Sequence, residues 1–255
     1  MIIIKTREEI EQMRAAGQAV AEILELLQAH IRPGVNTGML NAMAEEECKK
    51  RQAMPLFKNY PHPRAGKKPF PAAICASVNE EVVHGIPGTR VLKEGDIISI
   101  DFGLLLDGYA GDAAITVPVG EVSEEALRLI RYTEKTLFKG IHEARNGNRL
   151  GQISHAIQKY AEEHGFSVVR DFVGHGIGRR MHEDPPVPNY GKSDRGPVLK
   201  EGMTIAIEPM LNIGTYNVYT QADDWTVVTR DGSLSAHFEH TIAITDRGPE
   251  ILTLR

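Results

Sequence analysis

The sequence is short of the residues that hold small secreted or zinc-ribbon domains together: in 255 residues there are two cysteines, Cys48 and Cys75. Two thiols are too few for a disulfide framework and lack zinc-finger spacing, so a reducing compartment, the cytoplasm, is expected. No stretch nears the roughly 20 apolar residues of a membrane helix, and no membrane association is expected. The first residues, Met-Ile-Ile-Ile-Lys-Thr-Arg-Glu-Glu, carry charge where a signal peptide has an apolar run. Positive charge is also in deficit. Against 34 Asp and Glu stand 29 Lys and Arg, a net charge of −5, which gives no electrostatic case for nucleic acid. What is left is an ordinary globular composition, 42% apolar and 25% charged, long enough for one large domain or two halves with a substantial core.

Against that background the stretch from Asp101 to Asp112 stands out. The preceding Asp96-Ile-Ile-Ser-Ile-Asp-Phe alternates as a strand, with Ile98, Ile100 and Phe102 on one face and Ser99 and Asp101 on the other. Asp107-Gly108 is a strong hairpin signal, because both central residues of a type I′ turn need positive φ. Pairing across that turn sets Asp101 opposite Ala114, and Asp112 shares the face of Ala114. The two carboxylates become diagonal cross-strand neighbours, their backbones roughly 7–8 Å apart. Like charges aimed at one point among apolar residues are costly without a cation. Two solvated aspartates beside a turn are the alternative.

Around this hairpin the chain repeats itself. Thr6-Arg-Glu-Glu9 fits a capping box, and apolar residues from Ile10 to Ile31 recur at helical spacing until Pro33-Gly34. A second helix is expected from Thr37 to about Gln52, its acidic run at Glu45–Glu47 solvated. Five prolines between residues 55 and 73 mark a long loop, of a kind often functional inside a compact domain. A strand follows over 74–78. Helices are expected after Ser123 and through Ile153, Ile157 and Tyr160. Strands are expected around 167–172, 204–207, 225–229 and 238–245, with an irregular Gly- and Pro-rich segment at 174–197. Val91-Leu-Lys-Glu-Gly-Asp-Ile-Ile-Ser-Ile-Asp101 returns as Val198-Leu-Lys-Glu-Gly-Met-Thr-Ile-Ala-Ile-Glu208, and Arg32-Pro-Gly34 as Arg145-Asn-Gly147. A duplicated unit is implied: one catalytic domain of two halves, about 1–118 and 119–255, facing each other across a pseudo-twofold axis.

The repeat has a chemical consequence. Asp101 and Glu208 are equivalent, and Phe238-Glu-His-Thr-Ile-Ala-Ile-Thr245 puts Glu239 roughly where Asp112 lies in the first half. Four carboxylates, two from each half, would converge on the axis between two sheets. Four anions in one place require more than one divalent cation, or several protonated groups. A nitrogen ligand is available in Phe172-Val-Gly-His-Gly-Ile-Gly-Arg-Arg-Met-His-Glu-Asp-Pro185, where glycines flank His175 and let backbone and substrate approach. The GxGxG spacing there does not fit a phosphate cradle. Four carboxylates and one imidazole suit Mn²⁺, Fe²⁺, Co²⁺ or Zn²⁺ pairs. Two such ions about 3.5 Å apart can acidify a shared water, which points to metal-assisted hydrolysis and leaves the substrate open.

Six motifs carry a resemblance: Asn79-Glu-Glu-Val-Val-His-Gly-Ile-Pro-Gly, Gly-Asp-Ile-Ile-Ser-Ile-Asp-Phe-Gly, Gly-Tyr-Ala-Gly-Asp, Gly-His-Gly-Ile-Gly, Ile-Glu-Pro-Met and Ser-Ala-His-Phe-Glu-His-Thr. In this order and spacing they resemble the type I methionine aminopeptidases, from the first helix to the last strand. The resemblance implies an α+β, pita-bread (creatinase/aminopeptidase-like) fold of two pseudo-symmetric halves, with antiparallel sheets inside and helices outside. It implies that Asp101 binds one metal, His175 and Glu208 the other, and that Asp112 and Glu239 bridge both. Glu208 would also shuttle the proton of the attacking water. His182 would stabilise the oxyanion, and His84 would stand near the scissile nitrogen. The implied substrate is the N-terminal methionine of newly made polypeptides with a small second residue, expected to be met in the cytoplasm, at the ribosome, by a monomer. Phe70, Cys75, Met181 and Trp225 match the methionine pocket, with two departures: Met181 replaces a frequent aromatic, and the loop at 57–71 is long and Pro-rich. A proline-specific peptidase of the same fold, or a metal-free peptide-binding relative, are the competing readings.

Overall fold

The computed structural model describes residues 1–254. Helix starts follow the capping chemistry. Thr6 and Glu9 form a reciprocal capping box at the start of α1 (Arg7–His30). Asn36 accepts from the Met39 N–H ahead of α2 (Thr37–Lys50), and Ser123 from the Ala126 N–H ahead of α3 (Glu124–Glu143). α4 (Leu150–Glu163) follows directly. No helix among the described residues is long and apolar enough to cross a membrane.

Five strands precede α3: β1 (Met54–Pro55), β2 (Cys75–Val78), β3 (Glu81–Val83), β4 (Ile97–Leu106) and β5 (Tyr109–Pro118). After α4 come β6 (Ser167–Val168), β7 (Gly174–Gly176), β8 (Glu183–Val187), β9 (Thr204–Ile207) and β10 (Met210–Asn212). The chain ends through β11 (Val218–Thr220), β12 (Val227–Thr229), β13 (Ser235–His237), β14 (Glu239–Thr245) and β15 (Gly248–Ile251). Nine strands form one sheet in the order β1-β4-β5-β14-β9-β7-β8, with β2 added on β4 and β15 on β14. Two three-stranded sheets, β13-β10-β6 and β11-β12-β3, flank it. The β4–β5 turn is as expected: Asp107 and Gly108 have φ of 49° and 83°, and Asp101 pairs with Ala114.

The two halves use the same packing. In the first, Val20, Ile23, Leu24 and Leu27 of α1 bury against Ile98, Ile100 and Phe102 of β4. In the second, Leu137 and Ile141 of α3 and Ile153 and Ile157 of α4 bury against Ile205, Ile207 and Ile242. Each such side chain removed from water contributes roughly 1.5–3 kcal/mol. Equivalent bridges, Asn36 to Val91 and Arg149 to Val198, tie the start of α2 and of α4 to the repeated segment. Where α1 crosses the hairpin the backbones nearly touch: a Cβ on Gly111 would lie 2.8 Å from the Gly17 nitrogen. That contact seats the residue before Asp112 directly on the helix.

Four expectations are corrected. The inner strands of the two halves do not form two separate sheets, because β5 and β14 hydrogen-bond and join the halves along a seam. The 174–197 segment is not irregular throughout. β8 pairs there with β7, and its prolines are tolerated because β8 ends the sheet and has a free edge. Strand structure at 167–172 is confined to Ser167–Val168, and the strand expected from Trp225 begins at Val227. Asp223 instead accepts the N–H groups of Trp225 and Thr226, a local turn that displaces strand pairing.

Candidate metal centre and substrate cavity

The seam between β5 and β14 fixes the ligands by register. Across one row Asp101 pairs with Ala114 and Ala114 with Glu239, while Glu208 directly follows β9. Two residues along, Gly103 pairs with Asp112, and Thr241 and His175 both pair with Ala206. Because side chains alternate with a period of two, both rows point to one face. Oxygen or nitrogen atoms of Asp112, His175 and Glu239 come within 4.8 Å of one another, all three buried. His175 Nε2 is 3.9 Å from Asp112 Oδ2 and 3.7 Å from Glu208 Oε1. Asp101 stands at the end of the first row, close enough for its charge to act on Asp112, Glu208 and Glu239. All five residues expected as ligands therefore share this patch.

Glycine at 103 makes room for this. A Cβ there would lie 2.8 Å from Asp112 Oδ1. Thr241 braces Asp112 from the next strand, its hydroxyl accepting the Asp112 N–H at 3.2 Å and donating to the Asp112 carbonyl at 2.8 Å.

The electrostatics call for positive charge. Burial pushes the Asp101 carboxyl up to about 7. Burial, then the charge of Asp101, raises Asp112 well above the carboxylate range. Glu208 is raised by burial and by Asp101 and Asp112, and Glu239 by burial and by Asp112, Glu208 and Asp101. Buried oxygens Asp101 Oδ1, Asp112 Oδ1 and Glu239 Oε1 have no hydrogen-bond partner. His175 Nδ1 is 2.9 Å from the Gly176 carbonyl, which can only accept, so the proton sits on Nδ1 and Nε2 offers a lone pair. Burial holds that imidazole neutral, its pKa near 3. Bare oxygens and a bare nitrogen around one point are the donor set of a divalent cation site.

Above the patch is a cavity of about 640 Å³. Phe70, Cys75, Met181 and Trp225, the residues matched to the methionine pocket, pack there as one cluster with Phe57 and Ala72. Cys75 lies opposite Asp101 on β2, and burial, then the nearby Asp101 and Asp112 charges, raises its thiol far above the usual value. The Pro-rich loop supplies a wall through Tyr60, Pro61 and His62. α2 holds both ends of that loop. Lys58 pairs with Glu45 at 2.7 Å, so Glu45 is not merely solvated, and the Ala73 N–H donates to Asn41 Oδ1 at 2.8 Å.

Both further histidines border the cavity. His84 has φ of 59°, a strained conformation for a residue with a Cβ, and its ring meets Phe172 and Trp225 edge to face. Burial brings its pKa down to about 4. His182 opens into the cavity beside His175, ring centroids 4.3 Å apart, deep enough for desolvation to lower its pKa. Sequence reasoning missed His237, whose buried Nε2 has no hydrogen-bond partner and stands 3.8 Å from Glu208 Oε2. Its signal was strand alternation, which puts His237 on the face of Glu239. Thr241, on the same alternating face as Glu239, and Tyr60, which carries no periodic signal, were also missed.

The chain matches the model of metallopeptidase family M24 over residues 11–246. It is 59% identical to a methionine aminopeptidase of Clostridium acetobutylicum, covering 100% of this chain and 99% of the relative. With methionine aminopeptidase 1 of Bacillus subtilis the identity is 55%, over 99% of each. The crystal structure of methionine aminopeptidase from Rickettsia prowazekii superposes with a TM-score of 0.95 at 46% identity, each chain fully covered. The prolidase of Pyrococcus furiosus, at 23% identity and a TM-score of 0.75, shares the fold alone, over 99% of this chain and 66% of its own. The chain has the pita-bread fold and belongs to metallopeptidase family M24, among the methionine aminopeptidases.

Proposed function

We propose that this protein removes the N-terminal methionine from newly made polypeptides whose second residue is small. The observation that carries this reading is the apolar cluster of Phe70, Cys75, Met181 and Trp225 beside the buried carboxylates. An unbranched thioether fits such a cluster by area and polarisability. Asp101, Asp112, His175, Glu208 and Glu239 would hold two divalent ions, drawn from Mn²⁺, Fe²⁺, Co²⁺ and Zn²⁺. Bound there, the ions supply Lewis acidity, acidifying water and polarising the scissile carbonyl.

The chain's own groups do the rest. Glu208 takes a proton from the attacking water on a carboxylate oxygen and delivers it to the departing amine. His182 donates an N–H to the carbonyl oxygen as negative charge grows on it. His84, neutral, borders the scissile nitrogen. Partly buried Tyr60 and Phe172 line the cavity, and a peptide entering it displaces the water there. We place the protein in the cytoplasm as a monomer meeting its substrates near the ribosome, with its two units dividing near residue 118.

A peptide panel with metal analysis tests this. Chelated protein should be inactive, and Co²⁺ or Mn²⁺ should restore cleavage of Met-Ala-Ser but not of Ala-Pro. Full activity without metal, or a preference for Ala-Pro, overturns the reading.

A further inference from the structure

Two imidazoles of the cavity stand side by side, and their partners give them opposite duties. His175 Nδ1 faces the Gly176 carbonyl at 2.9 Å, an acceptor only, which forces the hydrogen onto Nδ1 and leaves Nε2 bare for a cation. His182 Nδ1 faces the Tyr60 hydroxyl at 2.6 Å, a group able to donate. The two rings meet edge to face, 5.4 Å between centroids and 74° between planes.

Tyr60 reaches this position from a fixed point. At the neck of the Pro-rich loop the Asn59 N–H donates to the Phe70 carbonyl at 2.8 Å, and the Phe70 N–H donates to the Tyr60 carbonyl at 2.9 Å. Asn59 accepts a positive φ of 65° to close that clamp, a conformation asparagine tolerates better than most residues. The excursion of residues 61–69 therefore hangs beyond Tyr60 and does not carry it. Partial burial raises the Tyr60 pKa and keeps the phenol protonated.

We propose that Tyr60 is a positioning residue for His182: its Oη–H donates to Nδ1, fixing the imidazole as the Nε2–H tautomer and turning that hydrogen toward the carbonyl under attack. In a neutral imidazole one nitrogen donates and the other accepts, and the bond made by one decides the state of the other. The reverse arrangement, Nδ1–H donating to the tyrosine oxygen, would present a lone pair to an oxygen gaining negative charge. A neighbouring carbonyl makes the first imidazole a ligand, and a neighbouring hydroxyl makes the second a donor. The proposal rests on the reading of His182 as the donor to the oxyanion.

A double-mutant cycle on metal-loaded protein with Met-Ala-Ser tests it, using Tyr60→Phe, His182→Ala and the pair. Tyr60→Phe should lower kcat by about tenfold, the upper range for one uncharged hydrogen bond, with KM within about twofold and metal content unchanged. Added to His182→Ala it should change nothing further, because its effect passes through that ring. Nitrogen NMR of imidazole-labelled, zinc-loaded protein should show His182 as the Nε2–H tautomer, and as a mixture in Tyr60→Phe. A normal kcat in Tyr60→Phe beside a damaged His182→Ala overturns the proposal and leaves the His182 reading standing. So does a Tyr60→Phe effect that multiplies undiminished onto His182→Ala, or an Nδ1–H tautomer in the parent protein. A normal kcat in His182→Ala overturns the oxyanion reading and this proposal with it.

Discussion

The floor of the cavity and its wall are built by opposite means. The floor is a seam of regular strands, where register alone brings Asp101, Asp112, His175 and Glu239 to one face and puts Glu208 at the strand end beside them. Its buried oxygens Asp101 Oδ1, Asp112 Oδ1 and Glu239 Oε1 are left without hydrogen-bond partners. The wall is loop and turn, where several polar groups are tied down: Trp225 Nε1–H donates to the Lys68 carbonyl at 3.1 Å, and a His62 ring N–H to the Asp224 carbonyl at 3.1 Å. Unsatisfied groups on a rigid frame await a ligand. Satisfied groups on an irregular frame only hold a shape. Substitutions in the floor should therefore act on chemistry and metal, and those in the wall on substrate affinity.

Glu208→Gln should have the largest effect. The amide keeps the shape but neither takes a proton nor carries charge, and general acid–base contributions run about 10²–10⁴-fold. kcat should fall on that scale while a product-like methionine ligand binds nearly as before. Near-normal turnover would move the proton transfer to another group. Gly103→Ala tests the floor from behind. The added methyl falls 2.8 Å from Asp112 Oδ1 and 3.3 Å from the Phe57 ring, so the carboxylate has to shift. Disturbing groups that orient a ligand typically costs about 10–100-fold in metal affinity, which titration calorimetry would measure. Unaltered affinity would mean that the Asp112 carboxylate moves aside without loss while Thr241 still holds its main chain.

pH should separate the same two regions through stability. Without metal, the floor carboxylates hold protons more tightly folded than unfolded: Asp101 to about 7, and Asp112, Glu208 and Glu239 well above their usual range, chiefly by burial. The folded state then binds more protons than the unfolded one above about pH 4, so stability falls as pH rises. The buried imidazoles oppose this. His84 and His240 near 4, and His175 and His237 near 3, bind fewer protons when folded, so stability rises with pH until about 6.5. Above about pH 7.5 the imidazoles are spent and the carboxylates dominate, joined only toward about pH 8.5 by the buried thiols of Cys48 and Cys75, whose raised pKa values act in the same direction. Chelated protein should lose about 5 °C or more of Tm from there to about pH 8.5, and added Mn²⁺ should abolish the fall. A flat profile in chelator would show that the carboxylates ionise at no cost.

What was legible in the sequence follows the same division. Strand alternation and the Asp107-Gly108 turn are local patterns, the Asp101–Glu208 repeat carried them to the second half to group four carboxylates, and the flanking glycines marked His175 as the nitrogen ligand. Alternation was underused at His237, two residues from Glu239 on the same face. The joining of the halves through β5 and β14 was not legible, because pairing between distant strands leaves no local mark. Prolines at 185 and 186 hid β8, since their position at a sheet edge is known only from the fold. Tyr60 escaped because its partner is 122 positions away and nothing in a Pro-rich run singles out one tyrosine.

The smallest effect should come from the rim. Lys67 pairs at 2.8 Å with Asp224, a residue lining the cavity, and both side chains are about two-fifths exposed, 42% and 39%. Such a pair contributes about 0–1 kcal/mol, screened further by salt. It is also one staple among several: the His62 ring stands 4.8 Å from the Trp225 ring, His62 bonds the Asp224 carbonyl, and Trp225 bonds Lys68. Lys67→Ala should raise KM for Met-Ala-Ser by less than about threefold and leave kcat alone, because the remaining bonds keep the wall in place. High salt should carry the parent protein to the same KM, since screening removes what the substitution removes. Trp225→Phe, which keeps a ring but loses the N–H to Lys68, should exceed it. A tenfold rise in KM from Lys67→Ala, or any loss of kcat, would mean that one ion pair holds the loop shut and that the wall moves during turnover.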